Sequence, residues 1–223
     1  MTTLQQPPLA LEFRAALGRE DFLVAECNRE AATWLDRWPH WPTPALLLHG
    51  PTGSGRTHLA HVWQARSGAI LRNGADLDAA WVPALAMTGA AIDDADQCPD
   101  LRALLHLYNL CREQRASLLL TAARPPTAWS AALPDLESRL RATQTVRLKA
   151  PDPAFLAALL VKLFADRGLS VAPDVITYAA PRLERSFTAA RAFVAAVDAH
   201  SLSARRRVTT PLAAAVLAEL ERS

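Results

Sequence analysis

The sequence predicts an α/β fold, in which a parallel sheet flanked by helices is followed by a small all-helical domain. Two observations support this prediction. Short apolar runs, typical of buried strands, alternate with helical segments over the first two thirds of the chain. Beyond residue 150 only helical patterns remain. We therefore expect a flexible tail over 1–13, an α/β domain over 14–150 and a helical domain over 151–223.

A glycine-rich stretch at residues 49–58 lies between a predicted strand at 45–48 and a predicted helix that includes 59–65. Its glycines have the spacing of a phosphate-binding loop, with Arg56 in the place of the usual lysine. The backbone N–H groups of such a loop, together with a helix N-terminus, bind a diphosphate. The candidate phosphate contacts are Gly50, Gly53, Ser54, Gly55, Arg56, Thr57 and His58.

Two acids follow a small apolar run at residues 89–92. At a strand tip, Asp93 can bind Mg²⁺ together with the Thr57 hydroxyl, and Asp94 can orient or activate an attacking water. An Asp-Asp pair is more often a helix cap, but its distance from the phosphate loop favours the metal role. Thr121, at the end of another predicted strand, could contact a γ-phosphate or could have no special role.

Bulk composition excludes several classes of protein. The 24 basic and 22 acidic residues give a net charge of +2, which is too small for a typical DNA-binding protein. No apolar run is long enough to span a bilayer, and the N-terminus lacks the basic region of a secretory signal. Three scattered cysteines indicate reduced thiols. We expect a soluble, cytoplasmic protein without a membrane partner.

The remaining elements follow from apolar periodicity and capping residues. Asp152 followed by Pro153 is typical of a helix start, and Asp174 is expected to cap the next helix. Residues 73–83 look irregular. Further strands are expected at 69–71, 117–121 and 145–148, and further helices at 28–37, 100–113, 152–167, 174–180, 186–200 and 211–222.

Three segments allow more than one interpretation. In the tail, Gln6, Leu9 and Leu11 could enter a groove on a partner as an extended segment, although spacing alone favours a disordered leader. The segment 38–42 could cover the adenine side of a nucleotide site, or it could only cover the sheet. The run Arg205-Arg206-Arg207 is typical of a solvated charge cluster, with DNA contact as the alternative.

A glycine loop, strand-borne acids, a polar strand tip, a downstream arginine and a helical lid together resemble the AAA+ ATPases. More narrowly, residues 124–126, 133–140 and 182–211 resemble the Hda-type, DnaA-homologous AAA+ regulators of replication initiation. The resemblance covers residues 4–222. The sequence ends where DnaA would begin its DNA-binding domain, which favours the Hda type.

The resemblance implies further residue roles. Arg139 corresponds to an arginine finger that is offered to the nucleotide of a neighbouring subunit, and Arg185 to the second sensor. Thr121 takes the first sensor position. Gln6, Leu9 and Leu11 fall on the motif with which Hda-type proteins bind the sliding clamp. Arg56 puts hydrolysis by the chain itself in doubt, because guanidinium is bulkier and its charge more diffuse than that of ammonium.

The function implied by the resemblance is regulatory. Such a protein binds ADP, or ATP, with Mg²⁺, docks on the DNA-loaded sliding clamp and makes DnaA hydrolyse its ATP. DNA is then contacted only through the clamp, and self-association is left open. The alternatives from other classes are an autonomous ATPase that acts like a helicase loader, a small-molecule kinase, and a binding module with a structural nucleotide.

Overall fold

The computed structural model describes residues 12–14, 22–129, 133–204, 207–220 and 222. The strands are β1 (Glu12–Arg14), β2 (Phe22–Val24), β3 (Ala45–His49), β4 (Ile70–Asn73), β5 (Ala90–Asp93), β6 (Leu118–Ala122) and β7 (Gln144–Arg147). The helices are α1 (Arg29–Asp36), α2 (Arg56–Ser67), α3 (Val82–Thr88), α4 (Leu101–Gln114), α5 (Pro134–Ala142), α6 (Pro153–Asp166), α7 (Pro173–Ala179), α8 (Phe187–Ala204) and α9 (Thr210–Leu220).

The chain divides into two units. The first, here called the α/β unit, contains Glu26–Ala150, and the second, the helical unit, contains Leu23–Ala25 and Pro151–Ser223. This order of an α/β part followed by a helical part confirms the predicted fold class. Within the described part of the chain, no helix combines the length and the hydrophobicity needed to cross a membrane.

A five-stranded parallel sheet with the strand order β4-β5-β6-β3-β7 forms the centre of the α/β unit. Leu46 of β3 lies opposite Leu119 of β6, and Ile92 of β5 lies opposite Leu120. Because all the strands run in one direction, the carboxyl ends of β3, β6 and β5 meet at one edge. Ligands of open α/β sheets bind at such an edge.

The central strands are apolar on both faces, as helix-covered parallel strands require. The three leucines of β3 and the three of β6 are fully buried. Strand β5 was a weaker prediction because alanine is a poor strand former. Its Ala90 and Ala91 are nevertheless fully buried between β4 and β6, so burial in the sheet outweighs their low propensity.

Several local predictions were wrong. Residues 73–83 are not all irregular, because Gly74–Asp76 forms a 3₁₀ turn and α3 begins at Val82. Helix α7 begins at Pro173 and not at an Asp174 cap. Asp174 instead accepts a hydrogen bond from Thr210 at 3.1 Å. At Asp152 the prediction was right, since its carboxylate accepts the Phe155 N–H at 2.7 Å.

The N-terminal region contains structure that the sequence did not suggest. Strands β1 and β2 form a small sheet, and Glu12 and Phe13, which had been placed in the tail, belong to β1. The tail residues Gln6, Leu9 and Leu11 lie outside the described residues, as do Arg205 and Arg206 of the basic run.

The aromatic segment 38–42 packs against α2 and the amino end of β6. Trp41 stacks on Trp63 of α2 with ring centroids 5.5 Å apart, and Trp38 meets the same ring edge-on at 6.1 Å. The Trp38 indole N–H donates to the Ser117 hydroxyl at 2.9 Å. Ser117 immediately precedes β6, so this cluster lies at the amino ends of the strands. The adenine interpretation of the segment was therefore wrong.

All three cysteines of the chain are buried thiols. Burial raises the pKa of Cys98 above its ordinary value and that of Cys111 to about 12. These thiols are therefore packing groups of low reactivity.

Two pairs of phenylalanines lie in the core of the helical unit. Phe155 of α6 packs against Phe187 of α8 with centroids 5.4 Å apart, and Phe164 packs against Phe193 at 6.2 Å. Edge-to-face pairs of this kind join α6 and α8 along their length.

Candidate nucleotide-binding site

The loop between β3 and α2 has a backbone that only glycine adopts without strain. Gly53 and Gly55 have φ values of 74° and 92°, in the left-handed region. Gly50 is needed for a different reason, since a Cβ at that position would lie 2.6 Å from the carbonyl oxygen of Leu148. The three glycines thus fix a curled loop that leads directly into the first turn of α2.

Two polar side-chain atoms in the loop are buried without a partner. Within the described residues, neither the Ser54 hydroxyl oxygen nor the Arg56 Nη1 has a hydrogen-bond partner. An unsatisfied buried polar group costs about 1–3 kcal/mol, so both atoms are suited to bind a ligand. Their position between the glycines and the N-terminus of α2 fits the phosphates of a nucleotide.

Both oxygens of the Asp93 carboxylate are held by threonine hydroxyls. Thr57, in the first turn of α2, donates to Oδ2 at 2.8 Å. Thr121, in β6, donates to Oδ1. The Thr57 hydroxyl and the Asp93 carboxylate are the hard oxygen ligands that Mg²⁺ prefers. The described ranges contain no group of three or more His, Cys, Asp or Glu side chains that could hold a metal ion by itself, so Mg²⁺ here would complete its coordination with phosphate oxygens and water.

The Thr121 hydroxyl is hydrogen-bonded to both Asp93 and Asp94. Its side chain is fully buried, and its hydroxyl accepts the backbone N–H of Asp94 at 2.9 Å while it donates to Asp93. The single hydroxyl hydrogen is therefore already used. Direct contact of Thr121 with a γ-phosphate stays a prediction, and it would require the hydroxyl to release Asp93.

Asp94 forms an ion pair with the loop arginine. One of its carboxylate oxygens, Oδ1, lies 3.0 Å from Nη2 of Arg56. Burial raises the pKa of the Asp94 carboxyl, the Arg56 charge opposes this rise, and the nearby Asp93 and Asp96 carboxylates add to it. The sequence assigned both residues to the site but did not predict their contact.

His49 closes β3 immediately before the loop. Burial lowers its pKa, and the positive charge of Arg147 on the neighbouring strand lowers it further. Both effects disfavour a positive charge on His49. His58, in the first turn of α2, is half-buried.

Arg139 lies in α5 of the α/β unit and is half-buried. Throughout the described chain no carboxylate pairs with its guanidinium, whereas Arg141 of the same helix pairs with Glu137. The backbone carbonyl of Arg139 accepts the Thr143 hydroxyl at 2.9 Å. The structure therefore leaves this guanidinium available, although the finger role itself stays a prediction.

Arg185 lies in the helical unit, two residues before α8. Its side chain is exposed, and it has no ion pair with any residue that the structure describes. A second sensor role is compatible with this exposure and stays a prediction.

A glycine loop after a central strand, acids at the end of β5 and a following helical unit define the AAA+ class of P-loop proteins. Comparison with known proteins narrows this class. Residues 156–217 match the family model described as the Hda lid domain. Over 234 aligned residues the chain is 22% identical to the chromosomal replication initiator protein DnaA of Cutibacterium acnes. The match covers 90% of this chain and 46% of the relative, so the chain spans about half of that protein's length.

Solved structures agree with this assignment at the level of fold. Domain III of the Thermotoga maritima replication initiation protein DnaA has a TM-score of 0.76 at 16% identity, covering 93% of this chain and 98% of that one. AMPPCP-bound DnaA from Aquifex aeolicus has a TM-score of 0.67 at 16% identity, covering 83% and 66% of the two chains. Together these findings show an AAA+ fold, sequence similarity to DnaA over most of this chain, and a match of residues 156–217 to the Hda lid.

Proposed function

We propose that this chain binds an adenine nucleotide and, in that state, stimulates the hydrolysis of ATP bound to the initiator DnaA. Such an activity would prevent re-initiation of replication. The observation that carries the proposal is the contrast between two arginines of the α/β unit. Arg56 is buried in the loop and paired with Asp94, while Arg139 has a guanidinium with no carboxylate partner among the described side chains.

The nucleotide is proposed to be ADP with Mg²⁺. The unpaired Ser54 hydroxyl and Arg56 Nη1 are suited to phosphate oxygens, and Thr57 with Asp93 is suited to the metal. A solved DnaA with a similar fold is bound to AMPPCP, an adenine nucleotide. Arg185 is proposed as the second sensor, an assignment that rests on the resemblance to Hda-type proteins.

The catalytic contribution to the partner would come from Arg139. An arginine finger supplied in trans stabilises the charge that develops on the γ-phosphoryl group. This is worth roughly 10³–10⁵ in rate, or about 4–7 kcal/mol of barrier. In this proposal the chain needs nucleotide to maintain its shape and does not need to consume it.

The tail would bring the AAA+ domain of this chain close to DnaA. Gln6, Leu9 and Leu11 are proposed to bind the sliding clamp, an assignment that rests on the resemblance to Hda-type proteins. A short tether of this kind raises the effective concentration of the AAA+ domain beside DnaA into the millimolar range. The chain would contact DNA only through the clamp.

The test is reconstituted hydrolysis of DnaA-bound ATP on clamp-loaded DNA. Arg139→Ala should lower the stimulated rate by about 10³-fold or more and leave ADP affinity unchanged. Arg141→Ala is the matched control, because it removes an arginine from the same helix that is already paired with Glu137. It should stimulate like the wild type.

Two outcomes would contradict the proposal. One is undiminished stimulation by the Arg139→Ala protein. The other is failure of the wild-type protein to bind adenine nucleotide. If the protein alone hydrolysed ATP rapidly without DnaA or clamp, the alternative of a helicase-loader-like ATPase would be favoured.

A further inference from the structure

We infer that Arg56 holds Asp94 in an ion pair that suppresses ATP hydrolysis by this chain, so that the site retains its nucleotide. The inference rests on the nucleotide-binding part of the proposed function and is independent of DnaA. It assigns a purpose to the arginine that replaces the usual loop lysine. Arg56 would then determine whether the site retains its ATP or hydrolyses it.

The first support is the geometry of the pair. Arg56 Nη2 lies 3.0 Å from Asp94 Oδ1, and the Arg56 side chain is only 9% exposed. Arg56 is the first residue of α2, and Asp94 directly follows β5. The pair therefore joins the phosphate loop to the acidic strand end.

The second support is the fixed direction of Asp94. Its backbone is left-handed, with φ 50° and ψ 49°, a conformation that few residues other than glycine adopt. The Thr121 hydroxyl accepts its N–H at 2.9 Å and is itself fully buried. The backbone thus directs the Asp94 carboxylate at the loop, and Arg56 is the cation that it meets.

The pair interferes with a defined chemical step. In hydrolysis the oxygen of water bonds to the γ-phosphorus while the bond from that phosphorus to the β–γ bridging oxygen breaks, and ADP leaves. The water gives up a proton, which a carboxylate at the position of Asp94 would accept, and the other product is inorganic phosphate. With Oδ1 turned to Arg56, that oxygen neither orients the water nor receives its proton.

The same guanidinium can bind nucleotide while the pair is intact. Its Nη2 faces Asp94, whereas its Nη1 is buried with no hydrogen-bond partner among the described atoms. A phosphate oxygen would satisfy Nη1. A lysine at this position presents one nitrogen on a flexible stem and lacks the fork that bridges two separate anions. Retention of nucleotide and suppression of hydrolysis are therefore two effects of one side chain.

The main experiment measures single-turnover hydrolysis of ATP by the full chain with neither DnaA nor clamp present. Arg56→Lys should raise the rate by at least about tenfold, because a positioned base contributes roughly 10²–10⁴. Adding Asp94→Asn to Arg56→Lys should return the rate to the wild-type level. Arg66→Lys is the matched control, since Arg66 is also an α2 arginine near an aspartate, 3.6 Å from Asp36. The Arg66→Lys protein should hydrolyse ATP at the wild-type rate.

A rate for ATP-bound Arg56→Lys that equals the wild-type rate would overturn the inference. A second measurement decides the matter if Arg56→Lys does not retain ATP. Asp94→Asn in the Arg56 background should tighten ATP binding by at least about tenfold, the worth of one charge-assisted hydrogen bond, because the guanidinium is released to the phosphates.

Asp96→Asn controls for the loss of negative charge. Asp96 lies two residues further along and its carboxylate is 3.7 Å from Arg124, so its removal leaves the Arg56 pair intact. Equal tightening by both variants would mean that charge alone is responsible, and the inference would fail. Neither assay contains DnaA, so this failure is distinguishable from loss of Arg139-dependent stimulation.

Discussion

The phosphate loop and helix α5 use the same side chain in opposite ways. In the loop, Arg56 is buried and committed to Asp94 at 3.0 Å. In α5, Arg139 is half-buried, and within the described structure its guanidinium meets no carboxylate. Arginine is suited to both situations because it keeps its charge and offers a planar fork of donors. The comparison teaches that surroundings, and not residue type, decide whether an arginine is held by a carboxylate of its own site or is left without one.

Arg139→Lys gives the largest expected effect on this comparison. Lysine keeps the charge but loses the fork, so the stimulated rate of DnaA-bound ATP hydrolysis should fall by about 10²-fold or more. The measurement is the reconstituted assay described above, with Arg141→Lys as control. The same arginine-to-lysine change would then lower the stimulation of DnaA when made at Arg139 and raise ATP hydrolysis by the chain itself when made at Arg56. If the Arg139→Lys protein stimulated DnaA as well as the wild type, the proposed difference between the roles of Arg56 and Arg139 would be contradicted.

Asp93→Asn tests whether the acid beside the pair serves the metal. The amide keeps the shape but offers a weaker ligand, so the Mg²⁺-dependent part of nucleotide affinity should fall by roughly 10- to 150-fold, or about 1.5–3 kcal/mol for a charged interaction. Titration of ADP with and without Mg²⁺ measures it. If the two proteins bound equally in both conditions, Asp93 would only hold Thr57 and Thr121 in place.

Replacing a buried threonine in each region compares how much the two regions contribute to the free energy of unfolding. Thr121→Val removes the hydroxyl that joins Asp93 to the Asp94 N–H and should cost about 1–3 kcal/mol of unfolding free energy, since both partners become unsatisfied. Thr143→Val, beside Arg139, removes only a bond to a carbonyl and a long one to Tyr108, and should cost about 0.5–1.5 kcal/mol. Urea denaturation measures both. A reversed order would show that the acid network adds little to stability.

Much of the fold could be predicted because its signals are local. Strand β3 is a short apolar run before a glycine loop, and Asp152 with Pro153 begins a helix. Strands β1 and β2 have three residues each, too few to show a period. Helix α3 has seven residues, with a proline in its first turn, inside a stretch without clear periodicity.

Within the site, the sequence indicated which residues meet but not how they pair. Thr57 and Asp93 were placed together, and they are hydrogen-bonded. The Arg56–Asp94 pair depends on the left-handed backbone of Asp94 and on the fully buried Thr121 beneath it. No spacing rule encodes a backbone angle at a residue that is not glycine, so this contact required coordinates.

Because the three native cysteines are buried, the folded protein offers little competition to a thiol placed on its surface. Ser138 is exposed and adjoins Arg139 on α5. A maleimide dye attached after Ser138→Cys would sit next to the proposed finger without any need to delete the native thiols. Its emission would then follow, in real time, the approach of a second protein to that helix.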